Sequence, residues 1–271
     1  METTHRIRPV VVGVDGSQAA LDAVRWAVDE AAARSAPLRL VHATGVTRQP
    51  GRSDDEFRME REYAETVLRA ASTAAKAVGR DVDVDTDILW GPPERELLAE
   101  SRTAAMICIG SVGIGAIASV VLGSTAVTVS TEAQCCVAVL RADALPAPRD
   151  WLAVATDATP ESGSVITGAL EEARLRGSPV VIVGVRRWES HEPSRDELDR
   201  RTTESTRRYP DVRTLVVPTS DTIVRYLAHQ RERDIGMVVI GAADAGVVAD
   251  IVGARGTLFD SGRRHSVLVV R

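Results

Sequence analysis

The chain has 271 residues, enough for two small cores, and a formal net charge of −5, which leaves no basic footprint for nucleic acid. Of its 33 basic residues only Lys76 is a lysine, which argues against a Walker-type loop, a Schiff-base enzyme or a lysine-dependent phosphotransferase. Met1 to Arg8 is polar and leads straight into a strand, so no signal peptide is expected and the chain reads as cytoplasmic. Thr103 to Thr131 carries no charge, but Gly110, Gly113, Gly115 and Gly123 break it into strand, loop and helix rather than a membrane span. Cys108, Cys135 and Cys136 fit no disulfide framework or zinc spacing and read as small buried hydrophobes.

Apolar β-branched runs alternate with helical patterns, which predicts βα units and a parallel sheet. In the first half the strands are expected at 10–15, 38–43, 82–89, 105–110 and 136–140. The first helix shows core spacing at Leu21, Val24, Val28 and Ala31, and the second at Met59, Tyr63, Val67, Ala71 and Val78. Val82, Val84, Thr86 and Ile88 alternate with Asp81, Asp83, Asp85 and Asp87, the period of a strand with one solvated face at a sheet edge.

The pattern then repeats. Trp151 to Asp157 echoes the first strand with its terminal aspartate, Met237 to Gly241 echoes Met106 to Gly110, and Ser266 to Arg271 echoes Cys136 to Arg141. The offset is 142 between Asp15 and Asp157 but 131 between Gly110 and Gly241, so the second copy is eleven residues shorter in its middle. Domains are expected over 1–145 and 150–271, joined by Ala142 to Asp150 with Pro146 and Pro148.

The most informative stretch follows the fourth strand: Gly110-Ser111-Val112-Gly113, nine residues, then Gly123-Ser124-Thr125. Glycine lets main-chain N–H groups approach an anion with no Cβ in the way, and Ser124 and Thr125 are suited to cap the next helix, whose dipole also attracts anions. Val10 to Ser17, Leu40-Val41-His42-Ala43, and Gly91-Pro92-Pro93 through Leu98 stand in order before this loop. Together these four motifs, over most of residues 8 to 141, resemble the universal stress protein family. The resemblance implies two tandem open parallel five-stranded sheets with flanking helices, Rossmann-like and adenine nucleotide α-hydrolase-like, of strand order 3-2-1-4-5. It further implies a nucleotide-dependent regulator or sensor in stress response, assembled as a homodimer, with a protein partner unknown.

By the same resemblance Asp15 faces the nucleoside and Ala43 offers main-chain groups to the adenine edge. Gly110, Gly113, Gly123, Ser124 and Thr125 would hold ribose and phosphates, and Gly13, Ser111 and Gly115 complete the implied nucleotide-binding set. Asp15 also suits an Asx turn within Asp15-Gly16-Ser17, and the two roles can coexist. The ligand implied is ATP, with ADP or AMP as alternatives. No Arg or Lys lies between Arg102 and Arg141, so phosphate charge would rest on N–H groups, the helix dipole and Mg²⁺. No protein metal site and no catalytic residue is expected. His42 reads as a packed core residue, and the competing enzyme reading, a slow ATPase or nucleotidyl-transfer relative, lacks a placed base. A scaffold with a vestigial site is the third alternative. Gly113-Ile114-Gly115-Ala116-Ile117-Ala118 also matches a dinucleotide fingerprint, but it follows the fourth strand rather than the first. In the second copy Asp244 stands in place of Gly113 and Ala254 follows Gly253, which predicts a degenerate site.

Overall fold

Val10, Val11 and Val12 are wholly buried, as a strand covered by helices on both faces requires. They form β1 (Val10–Gly13), the central strand of the first of two units in the computed structural model, residues 1–142 and 143–271. The structure describes residues 7–47, 54–112, 122–141, 150–156, 162–185, 195–230, 233–252 and 265–271. The predicted linker lies outside these except for Asp150.

The first unit continues with α1 (Gln18–Ala33), β2 (Leu38–Ala43), α2 (Asp54–Ala77), β3 (Val84–Leu89), α3 (Pro93–Glu100), β4 (Met106–Gly110), α4 (Ser124–Glu132) and β5 (Cys136–Leu140). Its strands are parallel neighbours in the order β3-β2-β1-β4-β5, the expected 3-2-1-4-5. Helices α1 and α2 pack together on one face, and α3 and α4 on the other. Right-handed crossovers dictate this, because the chain steps from β1 toward β3 and then back across to β4.

Local chemistry sets the element ends. Ser17 caps α1 by accepting the Ala20 N–H at 3.1 Å. Pro93 opens α3, where a missing N–H costs nothing. Asp54, Asp55 and Glu56 fill the first turn of α2, facing its positive dipole end. As predicted, β3 is an edge strand of its sheet. Arg39 on β2 bonds Asp85 at 2.8 Å and Asp87 at 2.7 Å on β3, and Glu100 at the end of α3 at 3.0 Å.

The second unit holds β6 (Trp151–Thr156), α5 (Ser162–Arg176), β7 (Val180–Gly184), α6 (Arg195–Arg207), β8 (Thr214–Pro218), α7 (Ile223–His229) and β9 (Ile235–Gly241). A 3₁₀ segment, Ala242–Val247, α8 (Val248–Val252) and β10 (Ser266–Val270) complete it. Its parallel order, β8-β7-β6-β9-β10, repeats that of the first. The copies also share a helix ending. Buried Glu30 pairs with Arg34, and buried Glu172 with Arg176. Ser35 at φ 48° then stands where Gly177 stands at φ 64°.

Several expectations need correction. β1 stops at Gly13 rather than Asp15, because the chain turns away over Gly16 at φ 90°. β3 starts at Val84 rather than Val82, and β4 at Met106 rather than Ala105. In α2 the buried face runs through Ala64, Val67, Leu68 and Ala71, while Met59 and Tyr63 are exposed. The helix is 24 residues long and its partners β2 and β3 have six residues each, so its first turns overhang the strand ends.

Candidate functional site

Strand order reverses between β1 and β4, and the helices that follow them leave on opposite faces. The crevice this opens lies at the carboxyl ends of the strands. A cleft of about 250 Å³ occupies it, and eight of the ten predicted site residues line it: Gly13, Asp15, Ala43, Gly110, Ser111, Gly123, Ser124 and Thr125. The other two, Gly113 and Gly115, lie outside the described residues. Val41, Leu97 and Ile109 give the cleft an apolar wall, and Pro93 and Leu97 bring α3 to its rim.

Asp15 sits in the expected Asx turn. Its Oδ1 accepts the Ser17 N–H at 2.9 Å, with Gly16 at φ 90° between them. Ser17 lines the cleft as well, and its hydroxyl donates to the Val112 carbonyl at 3.3 Å, tying the start of α1 to the loop beyond β4. The sequence reading did not select Ser17 for the site, although a serine immediately before an apolar helical period is an N-cap signal. Tyr63 was also missed. Its hydroxyl donates to the Asp15 carbonyl at 3.1 Å.

The glycines divide by role. A Cβ on Gly110 would lie 2.8 Å from Ala19 C and Cβ and 2.9 Å from Ala20 N, so backbone packing of α1 on β4 already demands glycine there. On Gly13 a Cβ would meet Leu97 and Ile109 side chains at 3.1 and 3.2 Å. Gly123 answers to neither demand. It is the N-cap of α4 at φ −62° and ψ 146°, a conformation any residue adopts, and among the described residues a Cβ would meet only Ser111 O at 3.8 Å. The expectation that Ser124 and Thr125 cap α4 is corrected: they are its first helical residues, and no side chain of the described residues caps it. The N–H groups of Ser124, Thr125 and Ala126 therefore have no acceptor within the helix. Ser111 fastens this end, donating its N–H to Leu140 O at 2.8 Å and accepting the Gly123 N–H at 3.0 Å.

Asp15 is the one charged side chain among the described residues lining the cleft. His42 is the packed residue expected, buried with its Nδ1 2.7 Å from the Val14 carbonyl, so this nitrogen carries the proton. No group of His, Cys, Asp and Glu that could hold a metal occurs among the described residues. No described helix is long and apolar enough to cross a membrane.

In the second unit the chain leaves β9 directly into the 3₁₀ segment Ala242–Val247, with Asp244 in its first turn. A Cβ on Gly241, the counterpart of Gly110, would meet Val165 Cγ2 at 3.2 Å. Asp157, Gly253 and Ala254 lie outside the described residues.

An open parallel sheet of order 3-2-1-4-5, duplicated along the chain, with a glycine-edged cleft at the switch point of its first copy, defines a Rossmann-like α/β protein. Residues 6–141 match the model of the Universal stress protein family. Universal stress protein Rv2624c of Mycobacterium tuberculosis is 40% identical over 98% of this chain and 97% of its own length. The chain belongs to the universal stress protein family. A universal stress protein from Archaeoglobus fulgidus DSM 4304 shares the fold with a TM-score of 0.71 at 16% identity, over 98% of this chain and 99% of that one. A universal stress protein in complex with cAMP is 31% identical, covering 50% of this chain and 97% of that one with a TM-score of 0.41.

Proposed function

We propose that the first unit binds an adenine nucleotide, ATP or its products ADP and AMP, and that the chain acts as a nucleotide-dependent regulator or sensor in stress response. The observation that carries this reading is Gly123. Neither its backbone nor its packing against the described residues asks for glycine, yet a side chain there would cover the N-terminus of α4, where an anion is favoured. Across the cleft the Asp15 turn and Ala43 frame an apolar wall suited to a base and ribose. Phosphates would lie against the N–H groups of α4, and Asp15 and Ala43 would take the nucleoside. Gly113 and Gly115 belong to the same proposal as parts of the phosphate loop. A Mg²⁺ ion would be held by the phosphates themselves.

We propose no catalytic role for this site, in keeping with a chain whose one lysine is not among the residues that line the cleft. Homodimerisation and a cytoplasmic location complete the proposal on the strength of the family resemblance. Mass spectrometry of the native protein tests it: a co-purified or added adenine nucleotide is expected on the chain. Protein that carries none, and shows no affinity for ATP at millimolar concentration in calorimetry, overturns it.

A further inference from the structure

We infer that Tyr63, which lies outside the cleft, is a positioning residue for the nucleoside end of the site and acts through the Asp15 turn; this rests on the nucleotide reading above. Tyr63 occupies a helical position whose period asks for core, yet its residue is 46% exposed. It is spent on the β1–α1 turn instead. The phenol donates to the Asp15 carbonyl at 3.1 Å, and its ring meets His42 edge-on, with centroids 5.6 Å apart and planes at 73°. His42 in turn holds the Val14 carbonyl at 2.7 Å. Two consecutive carbonyls of one turn are thus held by two rings that touch each other.

The other side of the turn is fastened as well. Asp15 Oδ1 is closed onto the Ser17 N–H, and the Ser17 hydroxyl both caps α1 and reaches Val112. Residues 14–17 are therefore clamped between α2 and the loop beyond β4. Burial, and after it the Asp15 and Glu60 carboxylates, push the Tyr63 phenol above its usual range, so it remains a donor at neutral pH. A partly exposed hydrogen bond of this kind adds little to stability. Its removal would still let Asp15 shift against a bound ribose or base, and small displacements of a positioned group are costly in a preorganised site.

The test uses the full chain, as wild type, Tyr63→Phe and Tyr63→Leu, titrated with ATP, AMP and adenosine, with the melting temperature of each variant recorded. Hydrogen exchange at the amides of residues 14–17 is followed without ligand. Tyr63→Phe is expected to raise Kd by roughly three- to tenfold, the worth of one neutral hydrogen bond, and by the same factor for all three ligands. Melting should not move, and exchange at the Ser17 amide should quicken. Tyr63→Leu, which also loses the ring on His42, should lose more affinity. Wild-type affinity in Tyr63→Phe, unchanged exchange at residues 14–17, or a loss that grows with the number of phosphates each overturns the inference while leaving the nucleotide reading intact. Wild-type protein that binds none of the three ligands overturns both.

Discussion

Alanine at position 123 adds one methyl group at a point where the backbone, at φ −62° and ψ 146°, accepts it and the nearest atom of the described residues is Ser111 O at 3.8 Å. The unfolded chain loses freedom worth about 0.4–1 kcal/mol, but alanine is a poorer N-cap than glycine and offsets that gain, so stability should stay close to that of wild type. Binding should fall instead. An N-cap side chain lies beside the N2 and N3 N–H groups, here those of Thr125 and Ala126, and would obstruct the approach of a phosphate oxygen. Losing one hydrogen bond to a charged group costs about 1.5–3 kcal/mol, or roughly ten- to a hundredfold in Kd. Gly110→Ala is the contrasting perturbation. Its methyl would stand 2.8 Å from Ala19 C and 2.9 Å from Ala20 N, and with backbone on the other side α1 must shift, an overpacking cost of about 1–3 kcal/mol. Differential scanning calorimetry and titration calorimetry with ATP on both variants give the pattern: Gly123→Ala melts as wild type and binds weakly, whereas Gly110→Ala melts several degrees lower. A Gly123→Ala chain with wild-type affinity for ATP would refute the assignment of the α4 N-terminus as the phosphate end.

Other outcomes follow from the same geometry. One nucleotide should bind per chain, in the first unit, since Asp244 places a carboxylate in the segment after β9; two per chain by native mass spectrometry, one of them lost in Asp157→Ala, would show the second unit to be active. Ser35→Gly should stabilise the fold by up to about 1 kcal/mol in urea denaturation, because an L residue in the left-handed region costs about 1–2 kcal/mol and glycine's lost chain entropy returns only part of it. A less stable Ser35→Gly chain would contradict the φ of 48°. Phosphate release from ATP should run far below the ordinary range of roughly 1–10³ s⁻¹; turnover within that range, abolished by one carboxylate or histidine substitution, would establish an enzyme.

Much of the fold was legible because parallel strands write themselves as continuous apolar runs. β2 and β5 begin and end where the sequence places them, at Leu38–Ala43 and Cys136–Leu140. The switch point was legible too, through Asp15 and Gly110, nearly a hundred residues apart yet brought to one cleft. What stayed hidden depends on distances between elements. Helical period marked Met59 and Tyr63 as core because periodicity reports which face a residue occupies but not where the neighbouring strands end. Gly110 and Gly123 look alike in the motif, and only the proximity of Ala19 to one of them separates packing from access. The three residues that clamp the Asp15 turn, His42, Tyr63 and Ser17, come from β2, α2 and the turn itself, and no local pattern links them.

The β3 edge of the first unit's sheet limits how this protein can multiply. A strand whose N–H and C=O groups face outward is a template for another copy of itself. β3 presents Asp85 and Asp87 there, both exposed, with exposed Asp81 and Asp83 just before it. Arg39 is shared among Asp85, Asp87 and Glu100, so one positive charge faces three negative ones. Two β3 strands laid side by side would set aspartate against aspartate, and like charges directly opposed on a sheet repel. Like charge at that edge opposes self-recognition there and favours a different surface for any pairing of two chains.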